Sequence, residues 1–408
     1  SSFMKKVKYL SSYERDYFLF YQFIPSSQNI LSYQKNEIFK GLSFLETSDL
    51  VLYNTVSYFQ EHYWYLQNKK IAIFFSWWID SFFLLSILQK AFPWKVIELF
   101  IFFLPWEEEK VDILKKYINW FPFCTFSPFE LDTSYQSFCQ TFSHVYKDQS
   151  QKILWDEWFF MYLNFFKVLK SRKNIDIIFT WDGIDVLFGW LDLYKYAQIE
   201  NGIFNEETIL EARKKEYFLH KKAVFWENFH YKYWEYFWGD FIETKSLENE
   251  YLSMFSSLND EPLSLLQKQI FIGAHFWIPN RKDYIYDAAK YFSMNIIAPF
   301  TEERYIQKLS PWDIPNEYIL DERTSKKIIR HLSWIQLPSF SEIWKLNMTR
   351  EFSFYKKDIF YKGSILYRQW LISKEHLSML PYFIKQSHRY ENRMRIYLLL
   401  QLYFYINS

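Results

Sequence analysis

The sequence predicts an α/β protein built on a doubly wound parallel sheet, with a helical insertion and a helical C-terminal part. Three observations predict it. From residue 71 to about 200, short strand-like runs alternate with helix-like ones. The run Ile71-Ala72-Ile73-Phe74-Phe75 is continuously apolar, as a strand buried on both faces must be. Ser76–Ser81 then joins it to an apolar run at helical spacing, Ser81 to Leu88, which makes a strand–turn–helix unit.

Taken in order, residues 1–65 are polar and aromatic with weak periodicity, and Ile24-Pro25-Ser26-Ser27-Gln28-Asn29 reads as a turn cluster. They are expected to form a small appendage. A main domain over 66–345 follows. Its first half reads as strand 71–75, helix 81–91, strand 95–103, helix 107–119, strand 122–126, helices near 134–144 and 152–171, and strand 175–179. Phe159-Phe160 and Phe165-Phe166 are core aromatics. Residues 203–294 read as helical, with Arg213-Lys214-Lys215 and Lys221-Lys222 on a solvated face. Ile296–Ala298 is extended and turns at Pro299-Phe300 into a helix, and Thr324 or Ser325 is the expected N-cap of a further helix. Residues 346–408 form a helical extension.

The composition limits the function classes. Charges nearly cancel at +1, so no global field favours nucleic acid or an anionic membrane. The two cysteines, Cys124 and Cys139, make no disulfide framework or metal spacing, which fits a reducing cytoplasm. His220 and His230 likewise show no metal spacing. The most apolar windows, Ile71–Leu88 and Ile396–Ile406, are interrupted or too short for a bilayer span, and Met4-Lys5-Lys6 is not followed by a signal-peptide core.

Two turns carry chemistry. In Ser76-Trp77-Trp78-Ile79-Asp80-Ser81, hydroxyls and backbone N–H groups at a helix N-terminus suit an anion. Taken alone, Ser76 and Ser81 also read as helix caps. The second turn, Thr180-Trp181-Asp182-Gly183-Ile184-Asp185-Val186-Leu187-Phe188-Gly189-Trp190, puts Asp182 and Asp185 at the carboxyl end of a strand, where open α/β sheets bind ligands. Asp80 and Asp185 taken singly would read as capping carboxylates, and Lys326 as either a phosphate ligand or a solvated helix lysine.

Together these pieces resemble the synthetase domain of the asparagine synthetase family, ATP pyrophosphatases whose loop is S-G-G-x-D-S and whose second motif is G-[ED]-G-x-D-E-L-F-G-G. Ser76–Ser81 matches the first with both glycines replaced. Trp181–Trp190 matches the second with tryptophan at its first and last glycines and Val186 at its glutamate. Pro299-Phe300 resembles P-F-L-D, although Thr301-Glu302 follows, and Lys326-Lys327-Ile328-Ile329-Arg330 resembles K-x-I-L-R. Phe23-Ile24-Pro25 through Ile38-Phe39 is similar to the tail of a glutaminase domain, so the likeness spans about 20–345.

The resemblance implies an adenine-nucleotide α-hydrolase-like fold and carboxylate activation. A substrate carboxylate, the aspartate side chain in the type reaction, attacks the α-phosphate of ATP and pyrophosphate leaves. Ammonia or another amine then attacks the acyl-adenylate. Ser76, Trp77, Trp78, Ile79, Asp80, Ser81, Trp181 and Gly183 would surround ATP and pyrophosphate. Asp80 and Asp185 would hold Mg²⁺, Lys326 would neutralise phosphate charge, and Asp182 would stand near the acyl and amine substrates. The chain begins Ser1-Ser2-Phe3 without a leading cysteine, so ammonia is expected from a partner glutaminase, from solution, or from a domain missing upstream. Lasso-peptide cyclases and β-lactam synthetases, which use an internal amine, are the alternatives within the resemblance.

Tryptophan stands at four motif glycines: 77, 78, 181 and 190. The chain has seven glycines and eighteen tryptophans, twenty-five together, where average usage gives roughly 29 glycines alone. The hypothesis is a gene in which UGA encodes glycine, written out with a table that reads UGA as tryptophan; UGG codons at these sites would sink it. If the indoles are genuine, they fill the pyrophosphate site and the chain is a pseudoenzyme that keeps the fold as a binding module.

Overall fold

Strand β1 (Ile71–Phe74) lies at the middle of the sheet, and all four of its residues are buried. The structure is a computed structural model. It describes residues 33, 36–76, 78–105, 111–112, 115, 122–148, 157–170, 174–189, 224–226, 230–232, 253, 258, 261–322, 324–333, 351–388 and 390–407. With β2 (Ile97–Phe103), β3 (Cys124–Glu130), β4 (Ile177–Phe179) and, after a hairpin of β5 (Val224–Trp226) and β6 (His230–Lys232), β7 (Ile296–Ile297), it forms a five-stranded sheet in the order β3-β2-β1-β4-β7. Every pairing in that sheet is parallel. Parallel neighbours need crossovers, and helices supply them.

Among the described residues the α-helices are, in chain order, α1 (Phe44–Tyr63), α2 (Ile79–Ala91), α3 (Tyr135–Asp148), α4 (Glu157–Leu169), α5 (Ile184–Leu187), α6 (Leu265–Ile272), α7 (Ile278–Tyr291), α8 (Glu303–Leu309), α9 (Asn316–Ile319), α10 (Lys327–Leu332), α11 (Lys356–Arg368), α12 (Lys374–Lys385) and α13 (Tyr390–Asn407). Aromatic contacts place two of them on opposite faces of the sheet. Phe74 of β1 packs on Tyr162, Phe165 and Phe166 of α4. Phe179, in register with Ile73 and so on the other face, packs on Phe59 and Tyr63 of α1.

Helix α1 differs from the expected appendage. It opens with a capping box, in which Glu46 N–H donates to Ser43 Oγ and Ser43 N–H to Glu46 Oε2. It buries Val51, Thr55, Tyr58 and Phe59 against the sheet's helices and the Pro299–Thr301 turn. Its Tyr58 and Tyr63 hydroxyls donate to the two carboxylate oxygens of Glu302 at 2.6 and 2.8 Å. Glu302, which with Thr301 departs from the P-F-L-D pattern, here ties α1 to the segment that follows β7. The C-terminal helices pack on α3: Tyr135 stacks on Tyr355 and donates to Asp358, and Phe138 meets Tyr397.

Two further expectations need correction. Within the stretch read as helical, Val224–Trp226 and His230–Lys232 pair as antiparallel strands. Val-Phe-Trp and His-Tyr-Lys carry the β-branched and aromatic side chains that favour strands, and three residues with an asparagine connect them. Helix α10 is capped by Lys326 in the left-handed region (φ 53°, ψ 44°), without a side-chain cap from Thr324 or Ser325. The first turn cluster, the 107–119 helix apart from residues 111–112 and 115, and both lysine-arginine clusters lie outside the described residues.

Candidate active site

The two motif turns leave the carboxyl ends of β1 and β4, which are adjacent strands. Chain order reverses between them, since β2 and β3 extend the sheet to one side and β7 to the other. A crevice opens at such a reversal because the crossovers leave in opposite directions.

In the first turn, Ser81 is wholly buried and its hydroxyl donates to the carbonyl of Trp78 at 2.8 Å and to that of Ser76. Ser76 Oγ accepts from Trp78 N–H and donates to Ser81 Oγ, both at 3.3 Å. The serines therefore close the turn, and Trp78 (φ −79°, ψ 147°) becomes the N-cap of α2, with Ile79 its first residue. Asp80 follows in the first helical turn, where the helix dipole favours a carboxylate. Trp77 and Trp190 lie outside the described residues.

The second turn depends on glycine. Gly183 has φ +101°, and a Cβ there would stand 2.4 Å from the Phe300 carbonyl oxygen, so the strand end meets the Pro299–Thr301 turn in direct contact. This fixes Asp182 and Asp185 on either side of Gly183 and near β7.

Three residues far apart in sequence converge here. Lys326 Nζ donates to Asp80 Oδ1 and Oδ2, each at 2.6 Å, and to Asp185 Oδ1. The Lys326 side chain is fully buried, Asp80 is 3% exposed and Asp185 18%, so the cluster opens to solvent only at Asp185. Burial pushes the Asp80 carboxyl well above the usual range, and Lys326 opposes that push while the nearby Asp185 charge adds to it. Lys326 is held in the left-handed conformation, which costs a non-glycine residue about 1–2 kcal/mol and persists where surrounding contacts over-determine it. Its two carboxylate partners are those contacts.

Asp182 stands apart from this cluster. It is buried and accepts from the hydroxyl of Tyr162, which is itself buried. Burial raises the Asp182 carboxyl, with Arg281 and the Tyr162 bond acting against it. Both turns meet in a cavity of about 40 Å³ whose polar lining is Ser76, Tyr162, Asp182, Asp185 and Arg281, with Phe74, Phe102, Phe165, Trp158 and Trp181 as its apolar wall.

Sequence reasoning reaches Ser76, Asp80, Ser81, Asp182, Gly183, Asp185 and Lys326, and the structure brings Asp80, Asp185 and Lys326 into contact. It misses Tyr162 and Arg281. Tyr162 sits in a helix whose other buried residues, Asn164 apart, are phenylalanines, leucines and Met161, and that single hydroxyl in a largely apolar stripe was the available signal.

Two converging carboxylates are hard oxygen donors of the kind that hold Mg²⁺ when phosphate and water complete its shell. Among the described residues, no three His, Cys, Asp or Glu gather as an all-protein metal site, and no helix is long and apolar enough to cross a membrane. No protein-family model and no curated protein matches the chain, so any functional reading rests on this geometry.

Proposed function

We propose that the chain is an ATP-dependent, amide-forming synthetase of the asparagine synthetase type, acting on a small carboxylate in the cytoplasm. The observation that carries the reading is the meeting of Asp80, Asp185 and Lys326, separated by 246 and 141 residues, at the ends of adjacent strands. The finer fold reading is a doubly wound, adenine-nucleotide α-hydrolase-like sheet, supported by the β3-β2-β1-β4-β7 order and by helices on both faces.

In this reading the substrate carboxylate attacks the α-phosphorus of ATP and the bond to pyrophosphate breaks. The amine nitrogen then attacks the acyl carbon, and AMP leaves. Asp80 and Asp185 would hold magnesium, which when bound supplies positive charge against the phosphates. Lys326 exchanges part of its contact with the two aspartates for phosphate oxygens and so stabilises charge on the leaving group. Asp182, whose affinity for a proton is raised by burial, takes the proton that the amine gives up, and Tyr162 fixes its orientation. Arg281, on the same cavity wall, offers a cation to a substrate carboxylate.

The test is carboxylate-dependent exchange of labelled pyrophosphate into ATP, with glycine at 77, 78, 181 and 190 and with a panel of amino acids. Exchange that requires one carboxylate and is lost in D80N and K326M is expected; exchange absent with every carboxylate, or indifferent to both substitutions, would overturn the reading. A second reading has one observation in its favour. Trp181 lines the cavity, and if that indole is genuine the site is narrowed and the chain is a binding module without chemistry.

A further inference from the structure

Outside both motifs, Trp94 and Trp370 stand in the left-handed region, at φ 68° and 60°. Each occupies a turn position that calls for glycine, and each position is defined by hydrogen bonds that do not depend on any family likeness.

Trp370 follows α11, whose C-cap is Gln369. Its N–H donates to the Tyr367 carbonyl at 3.0 Å, and the next N–H, of Leu371, donates to the Leu366 carbonyl at 3.0 Å. These two bonds define a Schellman motif, in which the residue just past the cap is left-handed and is usually glycine. The accompanying apolar pair is present as well, Leu366 being buried and Leu371 packed on the core. Trp94 is the third residue of the turn Phe92-Pro93-Trp94-Lys95, which the Lys95 N–H closes on the Phe92 carbonyl at 3.2 Å. Proline second and a positive φ third make a type II turn, whose third place is a glycine place.

Neither indole gains burial that would offset the backbone cost. Trp370 is 87% exposed and Trp94 80%, among the most exposed large apolar side chains of the described residues. Trp94 makes one edge contact with Phe123. Phe123, Ser293, Ser310 and Lys326 also have positive φ, and what sets 94 and 370 apart is the coincidence of turn type, exposure and a single residue type.

We propose that the protein, as its own organism makes it, carries glycine at 94 and 370, decoded from UGA. The same decoding then applies at Trp181, where losing the indole widens the cavity beside Asp182 and Asp185. The turn geometry at 94 and 370 is independent of the synthetase reading, which can fail without affecting it.

Peptide mass spectrometry on the protein isolated from that organism decides the decoding. Glycine masses for the peptides spanning 94 and 370 are expected, and tryptophan mass at either position overturns the proposal. The conformational half is tested on recombinant chain. W94G and W370G should each raise the thermal midpoint by roughly 2 °C, whereas W64G, at a helical φ of −54° and 66% exposed, should lower it. If W94G and W370G lower the midpoint as W64G does, the turn argument fails.

Discussion

The turns after β1 and β4 lie side by side and hold their carboxylates in different ways. The first contains no positive φ among its described residues, closes on its own serine hydroxyls, and presents Asp80 to a buried ammonium. The second turns on Gly183 at φ +101° and presents Asp182 to a neutral phenol. Burial raises both carboxyls above the ordinary range, and a cation opposes that rise at each, Lys326 at Asp80 and Arg281 at Asp182. What differs is the hydrogen-bonded partner, a buried ammonium at Asp80 and a phenol hydroxyl at Asp182.

Removing the cation should have the largest effect. K326M leaves Asp80 and Asp185 facing each other with no counter-charge, which should cost about 3–5 kcal/mol of stability in urea unfolding and reduce pyrophosphate exchange by about 10²-fold or more. Unchanged stability would mean that Lys326 is not the partner of the buried pair. G183A attacks the second turn's backbone. With its Cβ 2.4 Å from a carbonyl oxygen, it should lose roughly 2–4 kcal/mol, while G41A, left-handed but with nothing within 4 Å, should lose only about 1 kcal/mol. Equal losses would show that conformation rather than contact governs position 183.

Smaller effects sharpen the comparison at Asp182. Y162F removes a bond to a buried carboxylate, an interaction of about 1.5–3 kcal/mol, and should shift the pH profile of amide formation more than the apparent affinity for ATP. The pH dependence of stability has a definite sign. Asp182 binds its proton more tightly folded than unfolded, where the ordinary value is 3.8. As pH rises from that value through the higher folded one, the unfolded state loses its proton first, so the ionising group destabilises the fold. The stability of the native chain relative to D182N should therefore fall as pH rises above about 4, measured by urea midpoints at each pH. A relative stability that rises instead would show that Asp182 is stabilised as a carboxylate.

Much of the sheet was legible in the sequence because parallel strands buried on both faces leave unbroken apolar runs. Ile71–Phe75 anticipates β1 closely, and 95–103 and 175–179 anticipate β2 and β4. Helix α1 was not legible, since its buried positions include threonine, serine and tyrosine, whose polar groups blur the amphipathic pattern even though those of Ser48, Thr55, Tyr58 and Tyr63 are paired inside the fold. Glu302 looked like a departure from a motif until its two tyrosine partners, 244 and 239 residues away, explained it.

The sequence by itself determined the strand–turn–helix units, the residue types in the two turns, and the shortage of glycine against an excess of tryptophan. Local spacing encodes all of these, because a turn's residues are neighbours in the chain. Only the tertiary structure decided that Lys326 meets both Asp80 and Asp185, that Tyr162 donates to Asp182, and that Trp94 and Trp370 have glycine's backbone. The first two depend on which strands lie adjacent and the third on a dihedral angle, and periodicity reports neither.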